Sequence, residues 1–144
     1  MVSTMIGAAI GRVGRYLWAA PTSACGLLVA LVAAATGGRW RLVDGTLEVH
    51  GGFATWLLRR PWIRAAALTL GHVVLGCRAQ DLERWRIHER VHVRQAERWG
   101  PLFVPAYLLA SLWVGLRGGD VYRDNPFEKE AFAVDAEGLP QPRP

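Results

Sequence analysis

The sequence predicts an α+β fold: an apolar N-terminal transmembrane helix, a small antiparallel β-sheet, a central amphipathic helix, a short apolar helix and a C-terminal helix. Three observations predict it. Residues 16–36 carry no charge. Two alternating β-prone runs flank an Asp44-Gly45 pair. Residues 82–99 repeat apolar side chains at helical spacing, so that strand and helix periods both occur within 144 residues.

The N-terminal run comes first. Hydrophobic residues make up 51% of the chain, with a mean hydropathy of +0.14 and seven tryptophans, which is high for a small soluble protein and directs attention to membrane segments. Residues 16–36 can span about 30 Å of hydrocarbon as a helix, with Tyr16 and Trp18 at one interface and Trp40 at the other. Ala33-Ala34-Ala35 also forms an A-x-A-like cleavage site. The apolar run is long for a signal peptide and its basic residues, Arg12 and Arg15, come late, so a retained anchor is the expectation. Arg12 and Arg15 on one flank balance Arg39 and Arg41 on the other, and the charge-bias rule gives no orientation.

Asp-Gly between β-prone runs signals a tight hairpin, because both turn residues tolerate positive φ. Glu48 and His50 share a face opposite Leu47 and Val49, which puts His50 on the solvent side or rim. Residues 53–62 are ambiguous up to Arg59-Arg60-Pro61. Residues 66–76 read as a buried strand, or two short ones around Gly71. His72 in that run is a further candidate to line a site or bind a metal, beside the plainer reading of a structural histidine.

The central helix starts at an Asp81 N-cap and stops at Gly100-Pro101. It contains Arg86-Ile87-His88-Glu89-Arg90-Val91-His92, an H-E-x-x-H pattern. At 100° per residue, Leu82, Trp85, Val93, Ala96 and Trp99 share one arc, and Arg86, Arg90, Arg94 and Arg98 take the opposite side. His88, Glu89 and His92 fall inside the apolar arc. Two imidazoles and a carboxylate facing a core are costly unless something satisfies them, and a metal ion would. Zinc suits the nitrogen pair, and Glu89 beside it is placed to act as a general base on a metal-activated water.

A catalytic zinc needs a third protein ligand. Residues 102–116 form a second charge-free run, only about 22 Å long as a helix and so short of a comfortable span. After it, Asn125 as N-cap and Pro126 at the first helical position open a last helix, with Glu128 at the third position. A capping box would account for Glu128 without any metal. Residues 138–144 read as a flexible Pro-rich tail.

Phe127-Glu128-Lys129-Glu130-Ala131-Phe132 resembles the E-x-x-A-D box of the glutamate-type zinc peptidases, most closely the membrane-bound prenyl-protein protease and heat-shock protease family and more distantly the thermolysin group. The resemblance implies a zincin-like α+β domain over residues 39–137, with residues 1–38 as its anchor. It implies His88, His92 and Glu128 as zinc ligands, Glu130 as runner-up, and Glu89 as the catalytic base of peptide hydrolysis. Phe132 stands where the family has an Asp that orients a ligand histidine, and Asp135, one turn on, is the candidate to replace it. Tyr122 or His72 would stabilise the oxyanion. The chain also resembles a group of small bacterial membrane proteins, which carries no activity over.

Topology adds a requirement. Were residues 102–116 to cross the bilayer, Glu128 would emerge away from the histidines, so that run must lie in the interface, re-enter, or pack within the domain; its length and Pro105 agree. The expected partners are membrane lipid and a peptide or protein substrate. The +5 charge fits phosphate headgroups; no nucleic-acid motif accompanies the scattered arginines, and nucleic acid is not expected. Cys25 and Cys77 read as small hydrophobes, not a disulfide. A non-hydrolytic protein with a structural metal, and a metal-free membrane-surface adaptor, remain the alternatives.

Overall fold

The computed structural model describes residues 2–138, with side chains described from Gly11 to Glu137. The expectation of a flexible tail concerns residues that lie, after Gly138, outside those described. The chain runs α1 (Val2–Ala35), β1 (Arg39–Val43), β2 (Thr46–His50), α2 (Gly52–Leu58), β3 (Ala67–Leu70), β4 (Val73–Gly76), α3 (Ala79–Trp99), a single 3-10 turn (Gly100–Leu102), α4 (Phe103–Leu116) and α5 (Pro126–Gly138). The fold is α+β. Two helical stretches, Gly11–Ala35 and Ala79–Leu116, are long and apolar enough to cross a membrane.

The four strands form one sheet in the order β1-β2-β4-β3. It is mixed, where an antiparallel sheet was expected. Both hairpins are antiparallel, but β2 and β4 pair in parallel, Leu47 opposite Val73 and Val49 opposite Leu75. The reason is the crossover through α2, which returns the chain to the same end of the sheet before β3 begins. The first hairpin turns at Asp44 (φ 49°) and Gly45 (φ 80°), as the sequence required. The second turns at Gly71 (φ 62°) and His72, dividing residues 66–76 into two strands.

Side-chain alternation splits the core between the two sheet faces. Val49, Val73 and Leu75 point to one side and pack with Ala30 and Ala33 of α1 and Ala54 and Leu58 of α2. Val74 points to the other and meets Leu82 and Val93 of α3. β4 is covered on both faces, which is why it reads as an unbroken apolar run. Each fully buried leucine here contributes about 1.5–3 kcal/mol of transfer free energy.

Two local expectations are corrected. α3 begins at Ala79 with Arg78 as its N-cap residue; Asp81 lies in the first turn, its carboxylate drawn to the Arg78 guanidinium at 3.0 and 3.2 Å instead of a cap position. The Glu48 face of β2 is not solvent-facing, because α3 covers it. Glu48 is buried and accepts hydrogen bonds from Arg86 at 2.8 and 3.1 Å and from Arg41 at 2.7 Å, while His50 is half-buried. Burial pushes the Glu48 carboxyl up, but Arg86 and Arg41 outweigh it and hold it below 4.5. Cys25 and Cys77 are both free thiols.

Candidate metal centre

α3 turns its apolar arc toward the sheet, α4 and α5, and the polar residues on that arc go inside with it. His88, Glu89, His92 and Gln95 are all buried. α5 packs across α3 after the chain reverses beyond α4. Asp120 builds the reversal by accepting the Tyr122 and Arg123 amides at 2.9 Å each. Asn125 then fastens α5 to α4. Its Oδ1 accepts the Phe127 amide at 2.9 Å as an N-cap, and its Nδ2 donates to the Tyr107 carbonyl at 3.1 Å and Ser111 Oγ at 2.8 Å.

This docking carries Glu128, forty residues along the chain from His88, to the histidine pair. Glu128 Oε2 lies 3.0 Å from His88 Nε2, Glu128 Oε1 lies 3.4 Å from His92 Nε2, and the two Nε2 atoms are 3.2 Å apart. The three groups could hold a metal ion. Two imidazole nitrogens and both carboxylate oxygens converge on one buried site, an arrangement that needs positive charge between them, as protons or as a cation. Burial raises the Glu128 carboxyl, yet the hydrogen bonds from His88 and His92 outweigh it and set it at about 2, so the group is an anion.

The surrounding hydrogen bonds define how these side chains are held. Gln95 is 0% exposed. Its Nε2 donates to the Phe127 carbonyl at 3.0 Å and to Glu130 Oε2 at 2.9 Å, both acceptors only, so its Oε1 must face His92 Nδ1 at 2.8 Å. His92 Nδ1 therefore carries a proton, so Nε2 donates to Glu128 when the ring is protonated and offers the cluster its lone pair when the ring is neutral. Tyr107 of α4 donates its hydroxyl to Glu128 Oε1 at 2.6 Å. Thr69 of β3 donates to Glu89 Oε2 at 2.7 Å. None of Gln95, Tyr107 and Thr69 was expected from the sequence. Gln95 carries a legible signal, three residues after His92 on the same face; Tyr107 and Thr69 depend on contacts between distant elements.

The other candidates lie elsewhere. Glu130 serves Gln95 and stands 3.6 Å from Arg98, away from the histidines. The capping-box account of Glu128 does not describe its carboxylate, whose oxygens face His88, His92 and Tyr107. His72 sits at the β3–β4 turn, stacked on Tyr16 at 3.8 Å, with Nδ1 3.3 Å from Ser23 Oγ and Nε2 3.0 Å from Glu97. It binds α1 to the sheet and is not beside the cluster. The Phe132 ring lies 4.7 Å from the His88 ring, and His88 Nδ1 is buried with no partner among the described residues, so Asp135 does not orient it.

A cavity of about 670 Å³ opens over the cluster. His88, Glu89, His92 and Glu128 form its polar wall, β3 one side, and Val104, Tyr107 and Leu108 of α4 the other. Tyr122 also lines it, edge-on to Phe132 at 5.7 Å, and burial raises its phenol so that it stays a neutral donor. Comparison with protein-family models, curated proteins and solved structures finds no match.

Proposed function

We propose that the protein is a membrane-associated zinc metallopeptidase in which His88, His92 and Glu128 hold the ion and Glu89 is the general base of peptide-bond hydrolysis. The observation that carries this reading is the buried cluster in which His88 Nε2 stands 3.0 Å from Glu128 Oε2 and 3.2 Å from His92 Nε2, itself 3.4 Å from Glu128 Oε1. Two ligands of a tetrahedral zinc at about 2.0–2.1 Å stand about 3.3 Å apart, so the donors are spaced for such an ion. Two imidazoles and one carboxylate are also the donor count that leaves a fourth position free, as catalytic sites do.

When bound, the ion lowers the pKa of a coordinated water and polarises a carbonyl. Glu89 lines the same cavity and would take the proton and hand it to the leaving amine. Thr69 fixes one of its oxygens, which limits the rotamers the base can adopt. β3 is an edge strand, and its residues Ala67, Leu68, Thr69 and Leu70 line the cavity, so an extended peptide could pair along it. Tyr122, which lines the same cavity, would donate to the oxyanion. The apolar surfaces of α1 and α4, with Leu28, Leu31, Leu109 and Leu116 all exposed, support attachment to a membrane.

The test is cleavage of an unfolded protein by zinc-loaded full-length chain and by Glu89→Gln. The variant should keep its zinc and lose at least about 100-fold in rate; unchanged cleavage would remove Glu89 from the reaction. One observation favours a second reading, a non-hydrolytic protein whose metal staples α3 to α5: the three ligand groups come from those two helices and all are buried, His88 to 1% exposure. In that case neither protein cleaves, and stripping the metal lowers the melting temperature of both.

A further inference from the structure

We propose that α1 lies flat in the headgroup region of an anionic bilayer, with the face of Leu17, Leu28 and Leu31 in the lipid, and does not cross it. The two faces of this helix differ in kind. Ala19, Thr22, Gly26, Ala30 and Ala33 fall within about 40° of one direction at 100° per residue, and all five are buried. Val13, Leu17, Ala24, Leu28, Leu31 and Ala35 fall within the same spread of the opposite direction, and all six are exposed, Leu17 at 70% and Leu31 at 68%. The inner side chains are small because the sheet comes close: a Cβ on Gly26 would stand 2.7 Å from Val73 Cβ and 2.9 Å from the Leu70 carbonyl. The outer face is large and apolar, and none of the described residues covers it.

The packing is lengthwise, and that decides the orientation. β1, an edge strand, runs beside α1 from Gly38, against the Ala33 carbonyl, to the turn at Gly45, whose carbonyl accepts the Tyr16 hydroxyl at 2.9 Å. An α1 standing along the bilayer normal would carry β1 through the hydrocarbon with it. The open backbone edge of that strand, with Arg39 and Arg41, has no means of satisfying itself there. Laid in the plane, α1 puts its leucines into the acyl boundary and keeps the sheet in water. Trp18 and Trp40, both exposed, flank the two ends of this face as interfacial anchors, and the net charge of +5 favours anionic headgroups.

The inference rests on the membrane association proposed above and not on the metal, so it is read on protein with or without zinc. In a Cys25→Ser, Cys77→Ser background, single cysteines at Leu17→Cys, Ala24→Cys and Leu31→Cys, all exposed, take a nitroxide label. The full chain is bound to vesicles of phosphatidylglycerol and phosphatidylcholine and checked by flotation. Label depth follows from collisions with oxygen and with a water-soluble nickel chelate. The expected result is flotation with one shallow depth at all three positions. A label at Ala24→Cys about 10 Å deeper than the other two, the offset that seven residues of upright helix require, would overturn the in-plane orientation while leaving membrane association intact. Failure to float, or spin–spin broadening between copies in place of lipid contact, would overturn the proposal by giving this face to water or to a second chain.

Discussion

His88 Nε2 and Glu128 Oε2 stand 3.0 Å apart although the whole of α4 and the reversal after it lie between them in sequence. Asn125 makes that meeting possible, since one buried amide both caps α5 and ties it to Tyr107 and Ser111. Glu128→Gln should therefore weaken zinc binding by at least about 100-fold, above what outer-shell changes cost. Glu130→Gln, two residues on and facing Gln95, should change it by less than about tenfold. Competition with a chromophoric chelator measures both.

Gln95 orients His92 through Nδ1 and is itself fixed by Phe127 and Glu130. Gln95→Leu keeps the volume and removes the acceptor, leaving the imidazole free to choose the wrong tautomer. Zinc affinity should fall about 10–100-fold while the fold persists, read as chelator competition beside an unchanged far-ultraviolet circular dichroism spectrum.

His88 Nδ1 is buried, close to the Phe132 ring and without a partner among the described residues. Phe132→Asp offers that nitrogen a carboxylate. The zinc-loaded variant should bind its ion about tenfold more tightly than the parent chain, and the metal-free variant should melt lower, because the new carboxylate then lacks a cation. Equal or weaker binding would mean that Phe132 holds His88 by packing alone.

Glu48 predicts the pH dependence of stability. Its folded pKa lies below 4.5 because the pairs with Arg86 and Arg41 outweigh its burial. A depressed folded pKa means a contribution fully present above the unfolded value and lost as pH falls through the folded one. Glu48→Gln should cost about 2 kcal/mol at pH 7, and the gap between the two melting curves should narrow as pH falls below about 5. A gap that widened in acid would reverse the assignment.

The parts of this fold that were legible in sequence are those set by local pattern. Asp44-Gly45 specifies its own backbone conformation, and the arc of α3 can be drawn from spacing alone, which is why His88, Glu89 and His92 were expected inside. The parallel pairing of β2 with β4 was not legible, because strand direction follows from how α2 returns the chain. Nor was the role of Glu48, whose burial depends on Arg86, thirty-eight residues away. For His72 the spacing left a site role open beside the plainer structural one; its partners Tyr16, Ser23 and Glu97 come from two different helices, and only their approach reveals the structural tie. Thr69 and Tyr107 were silent for the same reason, each being an ordinary residue of its own element until α3 and α5 arrive beside it.

The most direct test is the zinc content of the full-length chain, stripped with chelator and dialysed against limiting zinc. The account predicts one tightly held ion per wild-type chain and none in a His88→Ala, Glu128→Gln double variant, with the melting temperature of the wild type rising on loading. A wild-type chain that stays free of zinc and melts at the same temperature with and without it would contradict the account at its centre.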